Sequence, residues 1–185
     1  MTGGGNDVTP QDVLAFWRTA GPSRWFKKDP AFDAEITARF LTTYERAVDG
    51  GLSGWEATAE AALALLIVVD QFPRNMFRGQ ARTYAADSLA CDIAGRALAR
   101  GFDREVPHAD RQFFYLPFMH SEHLGDQERC VVLSRDFGDD EFTAYAVLHA
   151  DIIRRFGRFP HRNAALGRAT TPAEQEFLDS GGFAG

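Results

Sequence analysis

Phe72-Pro73-Arg74-Asn75 and Phe159-Pro160-His161-Arg162-Asn163 are one phrase written twice, the second copy with an added histidine. A guanidinium takes a carboxylate or phosphate through paired hydrogen bonds, and an amide beside it both donates and accepts. Asp70 stands just ahead of the first copy. The second copy lies in Ile152 to Ala173, a stretch without an acidic residue that carries Arg154, Arg155, Arg158, Arg162, Arg168 and His161. This pattern reads as a polar site for an anion or a peptide carboxylate. It reads equally as a solvated basic surface, and least well as a nucleic-acid strip.

Two further groups could join such a site. His120 and His123 are three residues apart with Glu122 between them. That is not the zinc signature His-Glu-x-x-His, whose histidines are four apart on a helix, and no metal or cofactor is expected. Ser121 is placed to cap the helix that follows. His149 falls on an inward stripe with Phe142, Tyr145, Ile152, Ile153 and Phe156 at helical spacing, either as a packed core histidine or as one aimed into a site. Asp151 and Arg155 are set for an i, i+4 surface pair. The candidate ligand-binding set is therefore Asp70, Arg74, Asn75, His120, Glu122, His149, Arg154, Arg158, His161, Arg162 and Asn163.

The elements that must hold these residues are helices. Thr9-Pro10 and Asp29-Pro30 have the cap-then-proline pattern of helix starts, and Gly50-Gly51 ends the second helix. A third helix is expected over Ser53 to Gln71, apolar nearly all round and stopped by Phe72-Pro73. Further helices are expected over Thr83 to Arg100, Asp110 to Leu116 (broken at Pro117), Glu122 to Arg135, and Asp139 to Phe156, ended by the second phrase. A short one follows Thr171-Pro172. No stretch alternates with a period of two, so strands are not expected. The fold class is all-α, built of antiparallel helical pairs, with a flexible segment 1–8 and a single domain over 9–185.

Composition bounds the rest. The net charge of −6 gives the whole molecule no pull toward nucleic acid or anionic lipid. The longest apolar run, Ala61 to Val69, is nine residues, and a membrane span needs about 20. Cys91 and Cys130 lack metal spacing and read as buried hydrophobes of a reducing compartment, which with the absence of a secretory leader gives a cytoplasmic expectation. The abundance of arginine over lysine fits a GC-rich genome. No Gly-x-Ser-x-Gly elbow or phosphate-binding Gly-x-x-x-x-Gly-Lys loop is present.

Several quoted pieces also carry a family resemblance. They are Val13-Leu14-Ala15-Phe16-Trp17, Trp25-Phe26, Asp70 to Asn75, Tyr115 to Glu122, and Arg155 to Asn163. With them the chain resembles a bacterial domain-of-unknown-function family, DUF924. The resemblance implies an all-helical fold of the tetratricopeptide-like class and implies no activity. The chain departs from the family pattern at Arg18 and at His123.

Three readings follow. The first is a binding module that holds a small anionic ligand or a peptide carboxylate in an Arg-, His- and Asn-lined pocket, with Asp70 and Glu122 orienting the arginines. The second is a hydrolase or lyase on a small phosphorylated or carboxylated substrate, with Glu122 or a histidine as general base. It requires His120, Glu122 and His161 to converge on an open cleft. The third is a scaffold for a protein partner, in which the two phrases bond to each other and lock the loops.

Overall fold

The computed structural model describes residues 7–183. Residues 1–6 of the segment expected to be flexible lie outside the described residues. Among the described residues ten α-helices follow one another: α1 Pro10–Ala20, α2 Pro22–Trp25, α3 Pro30–Val48, α4 Ala59–Leu66, α5 Phe72–Met76, α6 Asp87–Ala99, α7 Leu116–His120, α8 Leu124–Phe137, α9 Asp140–Phe156 and α10 Pro172–Asp179. Short 3-10 turns link several of them, and no strand occurs among the described residues.

Four predicted helix starts are made as expected, whereas the helix expected from Thr83 begins at Asp87 and the one expected over Asp110 to Leu116 is a 3-10 turn, His108–Phe114. Thr9 and Thr171 form capping boxes with Asp12 and Glu174, while Asp29 and Asp139 cap α3 and α9. Gly101, Gly138 and Gly157 adopt left-handed backbone just past the ends of α6, α8 and α9, where a side chain would be strained.

The prolines behave differently from expectation. Ser53 to Gln71 is not one α-helix. Ser53–Ala57 is a 3-10 turn, α4 follows, and Ile67–Gln71 is a π-helical turn. Phe72-Pro73 does not stop the chain, which continues as α5 to Met76. The wide turn, in which the Phe72 N–H reaches back five residues to Ile67, relieves the ring clash and missing donor that proline brings to a helix. At the second copy it is Gly157 that ends α9, and Pro160 opens a 3-10 turn over Pro160–Arg162. Pro117 likewise sits in the first turn of α7 instead of breaking a helix. Each of these prolines begins a turn, where its missing N–H is not needed.

Two local details also differ. Glu122 precedes α8, whose N-cap is His123 without a side-chain cap, because the Ser121 hydroxyl bonds to Asp126. Tyr145 is exposed, and Ala146 and Ala150 take the inner stripe of α9, where their small side chains suit close packing against α8.

One apolar core joins α1, α3, α4, α6, α7, α8 and α9. Phe72 is fully buried in it against Trp17 and Phe40. A small satellite core gathers Ile152, Ile153 and Phe159, with Phe156, Phe177 and Phe183 packed on it. The phenylalanine of each repeated phrase thus anchors its segment, one in each core. Helices α8 and α9, joined through Gly138-Asp139, fold back on each other and present α7 to α6.

Candidate functional site

The two copies of the phrase meet. Arg74 Nη2 donates to one oxygen of Asp87 at 2.9 Å, and Arg162 Nη1 donates to the other at 3.1 Å. Asp87 is the first residue of α6, so its carboxylate also lies at the positive end of that helix. Arg74 reaches back to the Asp70 carbonyl at 2.7 Å, and Arg162 Nη2 donates to the His120 carbonyl at 2.8 Å. The Arg162 guanidinium is sandwiched between the rings of Tyr84 and Phe159. Burial pushes its pKa down, and Asp87 opposes that shift.

Behind this bridge lies a second pair. Asp70, on the π turn and 1 % exposed, holds Nδ1 of His120 at 2.8 and 3.1 Å. Burial raises the Asp70 pKa, but the adjacent His120 and Arg74 outweigh it and bring the carboxyl to about 2. His120 is shifted down, by burial first and then by Arg74, against the pull of Asp70. The backbone around His120 is held on both sides: buried Gln127 of α8 donates to the carbonyls of Met119 and Ser121 at 2.7 and 2.6 Å.

These residues form one wall of a cleft of about 840 Å³, within the range of small-molecule sites. Its other wall is α6, through Ser88, Cys91, Asp92 and Gly95, and its rim is Glu122, His123, Asp126 and Arg129. Of the candidate set, His120, Glu122 and Arg162 line it. Asp70 and Arg74 support them from behind.

The other six candidates lie elsewhere. Asn75 donates to Asp33, which is also gripped by Arg78. His149 bonds to the Tyr145 carbonyl and packs against Phe159 and Phe183, and burial lowers its pKa to about 4. His161 lies against the same two rings, lowered to about 4 by burial and then by Arg162. Arg154 pairs with Asp151 and Glu128 at the surface, so the expected Asp151–Arg155 pair is replaced, and Arg155 stacks on Phe156. Arg158 holds Glu174 at 2.6 Å, and Asn163 donates to the same carboxylate. His120, Glu122 and His161 therefore do not converge. Glu122 is gripped by Arg168 at 2.7 and 3.0 Å and accepts the Phe159 N–H at 2.8 Å. It orients an arginine outside the candidate set and is not free to act as a base.

The acid-free stretch is neutralised in space. Arg158, Arg162 and Arg168 are met by Glu174, Asp87 and Glu122, which leaves no continuous basic face there. In the cleft, Arg96 is committed to Glu56. Arg129 stacks its guanidinium on Phe118 at 4.4 Å and has no carboxylate partner among the described residues. Neither Asp87 nor Arg129 carried a local signal, since each reads as an ordinary helix charge. Cys91 lines the cleft instead of being fully buried, and its thiol donates to the Pro117 carbonyl at 3.2 Å. Among the described residues no group of three His, Cys, Asp or Glu side chains is placed to hold a metal, and no helix is long and apolar enough to cross a membrane.

Comparison with known proteins gives two matches. The family model described as a bacterial protein of unknown function, DUF924, matches residues 13–182. A solved structure of a protein of unknown function from Agrobacterium tumefaciens is 46% identical, with a TM-score of 0.90 over 92% of this chain and 97% of the other. No curated protein matches.

Proposed function

The chain belongs to the bacterial family of unknown function DUF924, and from that premise we propose that it is a binding module for a small ligand bearing a carboxylate or phosphate. The cleft between α6 and the α7–α8 loop is the site. The observation that carries this reading is Arg129, whose guanidinium lines the cleft on an aromatic support with no hydrogen-bond partner among the described residues. Arg guanidinium groups held flat in this way lose little freedom on capturing an oxyanion. Arg162 and His120 would supply the inner polar wall.

Mass action provides the test, because a ligand that binds only the folded state raises the melting temperature with dose. The probes are inorganic phosphate, succinate, citrate and a tripeptide with a free carboxylate. At least one is expected to stabilise the protein, and Arg129→Ala is expected to abolish the shift while Arg154→Ala keeps it. No shift with any probe, or an undiminished shift in Arg129→Ala, overturns the reading.

The locking reading is favoured by its own observation: Asp87 ties the two phrases together. The lock and the site are compatible, since the lock forms a wall of the cleft.

A further inference from the structure

The hydrolase reading that needs His120, Glu122 and His161 together fails on their separation; we propose a different catalytic arrangement, in which His120 alone, oriented by Asp70, is the general base that activates water against the acyl carbonyl of a small carboxylate-bearing ester. The proposal rests on the ligand reading above, because Arg129 would hold the substrate's carboxylate.

The tautomer follows from geometry. Both Asp70 oxygens face Nδ1 of His120, and an ionised carboxylate only accepts, so the ring proton sits on Nδ1. The lone pair is then on Nε2. That atom has no partner among the described residues, is not enclosed, and belongs to a ring that lines the cleft. A buried carboxylate that fixes an imidazole with its free nitrogen outward is the arrangement of a general base. The charged groups around the ring are Asp70, Arg74 and Asp87, with Arg162 on its carbonyl. Burial first, and then Arg74, hold the imidazole below its ordinary range against Asp70 and Asp87, which favours the neutral ring. The π turn that carries Asp70 fits this role, since such turns recur at functional sites.

Water is the nucleophile because the side chains nearby are not activated. The Cys91 thiol is pushed up to about 12, by burial first and then by neighbouring carboxylates. The Ser121 hydroxyl is bonded to Asp126 at 2.7 Å.

The step balances. The water oxygen adds to the acyl carbon, the carbonyl electron pair moves to oxygen, and Nε2 takes the water proton. Asp70 stabilises the imidazolium. Collapse breaks the bond to the alkoxide oxygen, which receives the proton from Nε2. The products are a carboxylic acid and an alcohol, and His120 is neutral again.

The full chain is assayed with p-nitrophenyl hemisuccinate and p-nitrophenyl acetate. The anionic ester is expected to be turned over with the higher kcat/KM. His120→Gln is expected to lower kcat by about 10²–10⁴-fold with its melting temperature kept. Asp70 is a positioning residue: Asp70→Asn is expected to lower kcat, leave KM, and move the ring proton toward Nε2, read from 15N shifts. If His120→Gln does not fold, carbethoxylation of the wild type decides: loss of turnover with protection by succinate supports the proposal, and retained turnover overturns it. Absence of turnover with both esters, or full turnover in His120→Gln, also overturns it. If Arg129-dependent thermal shifts survive that failure, only catalysis falls. If they are absent as well, the binding reading falls with it.

Discussion

Arg74 and Arg162, which occupy the same position in the two copies of the repeated phrase, hold opposite oxygens of one carboxylate, Asp87, at 2.9 and 3.1 Å. The repeat is therefore a clasp. The shared acid offsets the repulsion between its two arginines, and it sits at the first turn of α6, where the helix dipole also favours it. The clasp fixes the Arg162 guanidinium against the His120 carbonyl, so the fastening of the loops and the shape of the cleft are one structure.

Removing the shared acid should expose this coupling. Asp87→Asn leaves the buried Arg162 guanidinium without its counter-charge, while Arg74 keeps Asp70 at 3.4 Å, and breaking a buried pair costs about 3–5 kcal/mol. Some solvent reaches Arg74, so a loss of about 2–4 kcal/mol is expected in urea unfolding. A loss under about 0.5 kcal/mol, the range of ordinary surface changes, would remove the clasp from the account.

Glu122 fastens the chain from Phe159 to Arg168. Glu122→Gln should cost about 1–2 kcal/mol, since hydrogen bonds to a charged group are the strong ones. Hydrogen exchange at the Phe159 amide, which donates to Glu122 at 2.8 Å, should speed up more than exchange in α3. Equal acceleration in both places would mean that the effect is global and not local to this fastening.

Acid should unfold the protein in two stages. His149 and His161 are lowered to about 4 in the fold, whereas an unfolded histidine titrates near 6.5. The unfolded state therefore binds more protons between these values, and stability that is full above about pH 6.5 falls as pH drops toward 4. Asp70 and Glu174 are lowered to about 2, Asp70 by its charged neighbours against burial and Glu174 by Arg158 first. Their contribution is present above about pH 4.5 and is lost toward pH 2. Replacing both histidines by Phe, which suits their contacts with Phe159 and Phe183, should shrink the first stage to the part that His120, also shifted down, contributes, and leave the second. Melting temperatures against pH decide it, and an unchanged first stage would assign it to other groups.

Cys91 should be a sluggish thiol despite its place in the cleft. With its pKa pushed up to about 12, its thiolate fraction at pH 8 is far below that of a free cysteine near 8.5. Reaction with Ellman's reagent should be at least about tenfold slower than for glutathione. A rate matching glutathione would reopen a cysteine nucleophile.

The helical architecture was legible in the sequence because its signals are local. Thr9-Pro10, Asp29-Pro30 and Thr171-Pro172 start helices through caps and a fixed φ, and the buried faces of α3 and α6 follow the 3.6-residue period. The repeated phrase was legible as polar and special. The fate of its residues was not. By itself Pro73 reads as a stop, yet the π turn before it lets the helix run on. The arginines between Ile152 and Ala173 form an acid-free run along the chain, while Asp87, Glu122 and Glu174 arrive from 75, 46 and 16 residues away to meet Arg162, Arg168 and Arg158. Composition and periodicity thus determined that the chain forms packed helices, because caps, turns and apolar stripes act within a few residues. Only the tertiary structure decided which charges cancel and which, like Arg129, are left without a carboxylate among the described residues, because Coulomb partners are chosen by distance in space and not along the sequence.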